Sequence, residues 1–336
     1  MAACLIRRQG IVPVTNRPVV ATLALPVGAA LVIGFLLLVT RPSALLHPST
    51  MMRSPSTAGE IPSPAACAGR AVRMPFTGVA INPPITEAAQ SFSHATKTRV
   101  SIIEFYSGFP RPFPRYEAKQ AVARGTLPLI QLNPRHVSLA SIAAGRYDSY
   151  LQNYARAVRA FRCRVVLSFG HEMNGSWYTW GRPRTTPAAF IAAWRHIYRY
   201  FQEKRVRNVT WSWDPDHVWQ PDHGGSWASQ WWPGAAYVDW IGIDGYQRPG
   251  ETFKSIFAKQ LANIRSFTTK PVFIAETGVQ PSAQQPAQIS GLFSALRRYN
   301  LAGLIWFDIN RKEPWKLEGN PAALAAYHKA AATIGQ

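Results

Sequence analysis

A chain of 336 residues with 47% apolar side chains holds enough apolar mass for one large core, and a (β/α)8 barrel of about 250 residues would nearly fill it. The formal charge of +20 invites a nucleic-acid reading, but the arginines scatter through helical stretches, without helix-turn-helix, RNP-like or zinc-finger spacing. No nucleic-acid partner is therefore expected, and the charge reads as a solvated basic surface with some affinity for anionic envelope polymers.

The first 17 residues are basic, with Arg7, Arg8 and Arg17. Val19 to Val39 then form 21 residues without a charge, about 31 Å as a helix and enough to span a bilayer core. No small-x-small cleavage site follows closely, so residues 1–40 read as a basic N-terminus with a transmembrane signal anchor, ahead of a cleaved signal peptide. The preceding arginines place the rest of the chain outside. It is thus expected to be extracytoplasmic, either anchored to the membrane by residues 19–39 or secreted. Residues 41–75, rich in Pro, Ser, Ala and Thr, read as a flexible linker.

From residue 76 to 336 the pattern changes. Short apolar or β-branched runs recur at Thr77–Ile81, Val100–Phe105, Leu127–Leu132, Arg164–Phe169, Asn208–Trp213, Val238–Ile243, Pro271–Ala275 and Gly303–Phe307. Helical periodicity falls between most of them, at Tyr147–Phe161, Pro187–Phe201, Thr252–Phe267 and Gln285–Tyr299, with a last helix at Pro321–Ile334. Strand and helix alternating about eight times predict an α/β fold, a (β/α)8 TIM barrel, as a monomeric catalytic domain. The fifth connection, Pro215–Ala236, is rich in Trp, Gly and Asp and reads as a substrate-binding loop instead of a plain helix.

Two strand ends carry the chemistry. The fourth strand runs into Gly170-His-Glu-Met-Asn-Gly-Ser-Trp-Tyr-Thr-Trp-Gly181, which sets Glu172 among aromatic rings. Burial there disfavours the anion and keeps a carboxylic acid protonated, ready to donate to a leaving oxygen. The seventh strand ends in Ile274-Ala-Glu-Thr-Gly278 and supplies Glu276. Both fall at the C-terminal face of the predicted barrel, where such folds place their sites. Retaining glycoside hydrolysis needs such a pair, with carboxyls roughly 5–5.5 Å apart. Glu104, Asp214, Asp216, Asp244 and Asp308 also lie at strand ends; Asp244 and Asp308 read as loop-fixing acceptors of backbone N–H groups, and Glu104 as a residue that could line the cleft.

These segments resemble glycoside hydrolase family 26, best known for endo-β-mannanases. The acid/base motif His-Glu-Met-Asn-Gly-x-Trp-x-x-Trp-Gly is met from His171 to Gly181, and the hydrophobic-Glu-x-Gly nucleophile motif at Ile274–Gly278. The resemblance implies that Glu172 is the acid/base and Glu276 the nucleophile of a retaining endo-β-glycanase. It points to a β-linked polysaccharide substrate, first β-1,4-mannan, with a β-1,3-1,4-glucan or xylan enzyme, or a non-catalytic carbohydrate-binding barrel, as the alternatives. It places Asn174 with the substrate contacts and gives His171 either a sugar contact or the orienting of Glu172. Tyr246 matches a tyrosine that hydrogen-bonds the nucleophile, and Trp306 an aromatic platform beneath the sugar. Trp177 and Trp180 read as cleft walls or as core.

No cofactor or metal is expected, because His, Cys and carboxylates are not grouped at ligand spacing. Cys163, at the start of a core strand, reads as a buried thiol; a disulfide with Cys67 stays open.

Overall fold

The computed structural model describes Cys67 and residues 72–217 and 227–334, all within the compact unit Thr57–Gln336. Eight parallel strands close into a barrel in sequence order: β1 (Phe76–Ala80), β2 (Ile102–Gly108), β3 (Leu127–Asn133), β4 (Val165–Phe169), β5 (Val209–Trp213), β6 (Trp240–Asp244), β7 (Val272–Thr277) and β8 (Gly303–Phe307). β8 returns to pair with β1. The expected strand order holds, with ends shifted by a few residues.

Around the barrel lie α1 (Ile85–Thr96), α2 (Arg115–Ala123), α3 (Leu139–Ala143), α4 (Asp148–Phe161), α5 (Pro187–Glu203), α6 (Phe253–Arg265), α7 (Gln285–Arg298) and α8 (Pro321–Ala332). The five expected helices are all present. Helices α1 to α3 are not among those expected; α2, for instance, buries only Ala118, Ala121 and Val122. By contrast α5 starts with a Thr186 hydroxyl accepting from Ala189 N–H and Pro187 in its first turn, then buries Phe190, Ala193, Trp194, Ile197 and Phe201 on one stripe. Between β5 and β6 the described residues hold no α-helix, only 3-10 turns at Ala228–Trp231 and Ala235–Tyr237.

Strand parity sorts the side chains into two cores. Ile103, Phe105, Val165, Leu167, Ile241 and Ile243 point outward into the layer beneath the helices. Phe76, Ile102, Leu129, Val166, Phe273 and Ile305 point inward and fill the lower barrel. Strands apolar on both faces follow from burial on both sides. Farther up, the same inward parity carries Glu104, Gln131, Ser168, Ser212 and Asp214, all buried. The barrel is thus dry below and polar above, which sets the chemistry at its C-terminal mouth.

Cys163 is not a free thiol. It is bonded to Cys67, with Cα atoms 4.7 Å apart and a sequence separation of 96. Nothing in the local sequence around either cysteine marks the pairing. A loop of that length gives a chain-entropy stabilisation of about 4–5 kcal/mol. Reduction with dithiothreitol, or Cys67→Ser, should therefore lower the melting temperature by roughly 10 °C; coincident melting of the oxidised and reduced chain would refute a structural role. The expected membrane span Val19–Val39, and the linker 41–75 apart from Cys67 and residues 72–75, lie outside the described residues. Among the described residues no helix is long and apolar enough to cross a membrane.

Candidate active site

Chain geometry lifts Glu172 out of β4 and turns it over the barrel mouth. Gly170 has φ 60° and Glu172 φ 52°, both in the left-handed region. A Cβ on Gly170 would stand 3.2 Å from Trp180 and 3.3 Å from Phe190, so that position requires glycine twice over. A non-glycine residue held left-handed costs on the order of 1–3 kcal/mol and persists where its surroundings fix it. Here they do: Glu172 N–H donates to Asp214 O at 2.7 Å, and Trp180 Nε1–H donates to His171 O at 2.8 Å. Asn174 spends its amide on the main chain of Asp216, donating to its carbonyl at 2.9 Å and accepting from its N–H at 2.8 Å.

The Glu172 carboxyl is buried, with Oε2 accepting from Trp177 Nε1–H at 2.5 Å. Burial pushes it well above the ordinary carboxylate range, and the charges of Asp216 and Glu276 push the same way; the Trp177 N–H and Arg311 pull it down. The net push is toward the protonated form.

Glu276 reaches the barrel interior through an irregularity. Phe273 and Ala275 point inward, so regular alternation would turn Glu276 out toward the helices. The registers of β7 with β6 and with β8 both shift here, giving β7 one extra residue. The bulge re-aims the next side chain inward. There Glu276 Oε1 accepts from Tyr106 OH and Oε2 from Tyr246 OH, each at 2.5 Å. Burial raises this carboxyl as well, but both tyrosine hydroxyls and Arg311 oppose the rise. Its surroundings therefore favour the anion more than those of Glu172 do. Tyr106→Phe and Tyr246→Phe should each forfeit a hydrogen bond to a charged group, about 1.5–3 kcal/mol, and shift the acid limb of the kcat/KM profile upward. An unmoved limb in both variants would refute the anion-holding role.

His171 stands beside Glu276. Its Nδ1 lies 2.9 Å from Asn133 Oδ1, which can only accept, so Nδ1 carries the hydrogen and Nε2 presents a lone pair. Burial, then the charges of Arg311 and Arg135, lower its pKa to about 3, and the ring is neutral. Nε2 lies 3.8 Å from Glu276 Oε1. Donor atoms of His171, Asp244 and Glu276 fall within 4.8 Å of one another, a grouping that no sequence spacing reveals because three strands supply it. In that grouping both oxygens of Glu276 accept hydrogen bonds from tyrosine hydroxyls.

Several expectations need correction. Trp306 is fully buried and points outward, its ring edge-on to Tyr327 of α8 and its Nε1–H donating to Trp315 O at 3.0 Å. Alternation along β8 gives the inward place to Phe307, so Trp306 is no platform for a sugar. Trp180 is buried in the outer core and buttresses the His171 turn, stacked 4.2 Å from Tyr178. Asn174 braces the loop after β5, as described above. Asp244 does not fix a loop through its carboxyl: both oxygens are buried without a hydrogen-bond partner. Asp308 does accept from Leu317 N–H, at 3.4 Å.

Trp177 is 50% exposed and stands beside Glu172 through its Nε1–H. Of the outlying tryptophans, Trp213 and Trp231 are core and Trp227 is partly exposed; Trp219 lies outside the described residues. Side chains missed from the sequence are Tyr106, Tyr178, Arg311 and Trp315. Tyr178 meets the His171 ring edge-on at 5.0 Å, Arg311 lies 5.3 Å over the Tyr106 ring, and Trp315 packs 4.6 Å from Tyr246. Only Tyr106 had a readable signal, the inward parity it shares with Glu104.

A (β/α)8 barrel that brings two carboxyl groups of unlike surroundings to one C-terminal pit, from β7 and from just beyond β4, has the layout of a glycoside hydrolase. The profile of glycosyl hydrolase family 26 matches residues 143–328, and the chain belongs to that family. It is 27% identical over 266 residues to Endoglucanase H of Acetivibrio thermocellus, covering 74% of this chain and 29% of that protein. It is 31% identical over 161 residues to mannan endo-1,4-beta-mannosidase A and B of Caldalkalibacillus mannanilyticus, covering 44% and 29%. The chain thus spans less than a third of the length of either relative. Among solved structures, a modular endo-β-1,4-mannanase from Cellulomonas fimi superposes with a TM-score of 0.61 at 18% identity, over 77% of this chain and 70% of that one. A family 26 β-mannanase from Bacteroides ovatus gives 0.57 at 17%, over 79% and 91%. At those identities the likeness is one of fold.

Proposed function

We propose that the chain is a retaining endo-β-glycanase acting on β-1,4-mannan-type polysaccharide. The observation that carries the reading is the division between the carboxyls: burial pushes both toward the protonated form, but at Glu276 two tyrosine hydroxyls oppose that push and favour the anion. Oε2 of Glu172 is occupied by Trp177, which leaves Oε1 to carry the acid proton. Glu172 protonates the glycosidic oxygen as Glu276 attacks the anomeric carbon, giving a covalent glycosyl-enzyme. Glu172, now a carboxylate, takes a proton from water, and the hydroxide equivalent displaces Glu276 with net retention. The neutral His171 offers its Nε2 lone pair to a sugar hydroxyl, and the exposed Trp177 ring offers its face to a pyranose.

The substrate follows from the relatives' names. A second reading, β-1,3-1,4-glucan, is favoured by the match over 74% of the chain to a protein named Endoglucanase H. Reducing-end release by the full chain on galactomannan, glucomannan, mixed-linkage glucan and xylan tests both. Fastest release from the mannans is expected; a preference for mixed-linkage glucan would transfer the assignment, and no release from any would defeat it. An extracytoplasmic location is part of the same proposal, supported by the Cys67–Cys163 bond, since disulfides persist in oxidising compartments. Anchoring through residues 19–39 should leave the chain in carbonate-washed membranes; a soluble form starting after residue 40 would favour a cleaved signal.

The proposed acid assignment also predicts a pH effect. Trp177→Phe removes the N–H that pulls the Glu172 carboxyl down, so the alkaline limb of kcat/KM should move to higher pH. A limb that stays fixed would mean that Trp177 does not tune the acid.

A further inference from the structure

One buried carboxyl close to Glu276 has no part in the steps above. Glu104 of β2 is wholly buried and shares the inward parity of Tyr106. Its Oε1 accepts from Gln131 Nε2 at 3.1 Å, and the same Gln131 nitrogen donates to Asp214 Oδ2 at 3.0 Å. Asp214 Oδ1 also accepts from Ser212 Oγ at 2.5 Å and from Gly242 N–H at 3.1 Å. Asp214 therefore has three donors, the provision a buried anion requires. Glu104 has one, and its Oε2 accepts from nothing.

The groups facing Glu104 are Tyr106 on its own strand, Gln131 on β3, Asp214 after β5, Asp244 at the end of β6 and Glu276 on β7. None is a cation. An ionised Glu104 would thus be a second anion beside Glu276 with a bare oxygen in a dry barrel, which costs several kcal/mol. A protonated Glu104 removes the conflict, because its bare Oε2 becomes a donor and, of the neighbouring charges, Glu276 acts on it most strongly.

We propose that Glu104 is a positioning residue that keeps a proton throughout the cycle and donates it as a hydrogen bond to Glu276, giving the nucleophile a third donor beside Tyr106 and Tyr246. Burial first, and then the charges of Glu276 and Asp214, raise this carboxyl well above the ordinary range, in agreement. No bond to Glu104 forms or breaks. Its proton offsets the desolvation of a nucleophile that must stay ionised at the bottom of the pit. The inference rests on the nucleophile assignment for Glu276.

The full chain and two variants test it. Glu104→Gln is isosteric and keeps both the acceptor for Gln131 and a donor toward Glu276. Glu104→Met keeps the volume and loses the donor. The first readout is the pH dependence of covalent labelling by an activated fluoroglycoside, followed by intact mass. Glu104→Gln should label within about threefold of wild type with an unmoved acid limb, whereas Glu104→Met should label about tenfold more slowly or worse, with the limb shifted upward. The second readout is the infrared difference between wild type and Glu104→Gln near neutral pH, which should show the carbonyl stretch of a protonated carboxyl.

A downward limb shift in Glu104→Gln would overturn the proposal, because that is the signature of removing a negative charge. So would wild-type behaviour of Glu104→Met, or a carboxylate band in the infrared difference. Should Glu104→Met fail to fold, Glu104→Gln and the infrared band decide. A wild-type chain that no fluoroglycoside labels would instead sink the glycosidase reading, and the infrared band would still report whether Glu104 holds its proton.

Discussion

Glu276→Ala is expected to eliminate covalent trapping on every substrate, whereas Glu172→Ala should spare it on a substrate with a good leaving group. On the proposed roles the two carboxyls do different work, so their losses should separate. Glu172 lends a proton to a poor leaving oxygen; a dinitrophenyl glycoside departs without that help, so the glycosyl-enzyme should still form. Its breakdown then lacks a base and should be slow, and azide, which attacks without base assistance, should accelerate it. Glu276→Ala lacks the attacking atom, and no leaving group compensates. On the natural polymer each variant should lose several orders of magnitude, at about 1.4 kcal/mol per tenfold. Burst kinetics and intact mass read both results. A trapped adduct in Glu276→Ala, or a Glu172→Ala equally dead on the activated glycoside, would reverse or void the roles.

Trp306→Ala should unfold the barrel more readily and leave its kinetics nearly alone. The side chain is fully buried between β8 and α8, edge-on to Tyr327 at 5.6 Å, and its N–H satisfies the Trp315 carbonyl. Truncating such a tryptophan costs about 3–5 kcal/mol, through lost transfer energy and the cavity left behind. In a domain of this size that is a melting shift of roughly 10 °C. Below the transition, kcat and KM should stay within a few-fold of wild type. A tenfold fall in kcat with unchanged melting would return Trp306 to the cleft.

The fate of Trp306 shows what a sequence can and cannot disclose here. Strand count and order were legible because each strand of a doubly covered sheet is a short apolar run, and eight such runs separated by helical periods leave few alternatives. Glu172 and Glu276 were legible because their flanking residues form a pattern. Which way a side chain faces was not. The inward place on β8 belongs to Phe307 and not Trp306, and nothing local distinguishes the two rings. Trp180, fourth in a cluster of aromatics and glycines, read equally well as wall or buttress, and only its hydrogen bond to His171 O settles the matter. The proton-holding partners lie far off in sequence: Tyr106 is 170 residues from Glu276, and spacing carries no information at that range. The Cys67–Cys163 bond was hidden for the same reason.

The extra residue in β7 makes this protein's chemistry a matter of counting. Removing the extra residue between Val272 and Glu276 would restore regular alternation and swing the proposed nucleophile to the helix side. Such a chain would still display Ala-Glu-Thr-Gly, and a tally of residue identities would certify it as intact. Its Glu276 would face away from Tyr106 and Tyr246. Families that share this barrel can therefore fall silent by a change of frame within a single strand, with no catalytic side chain lost.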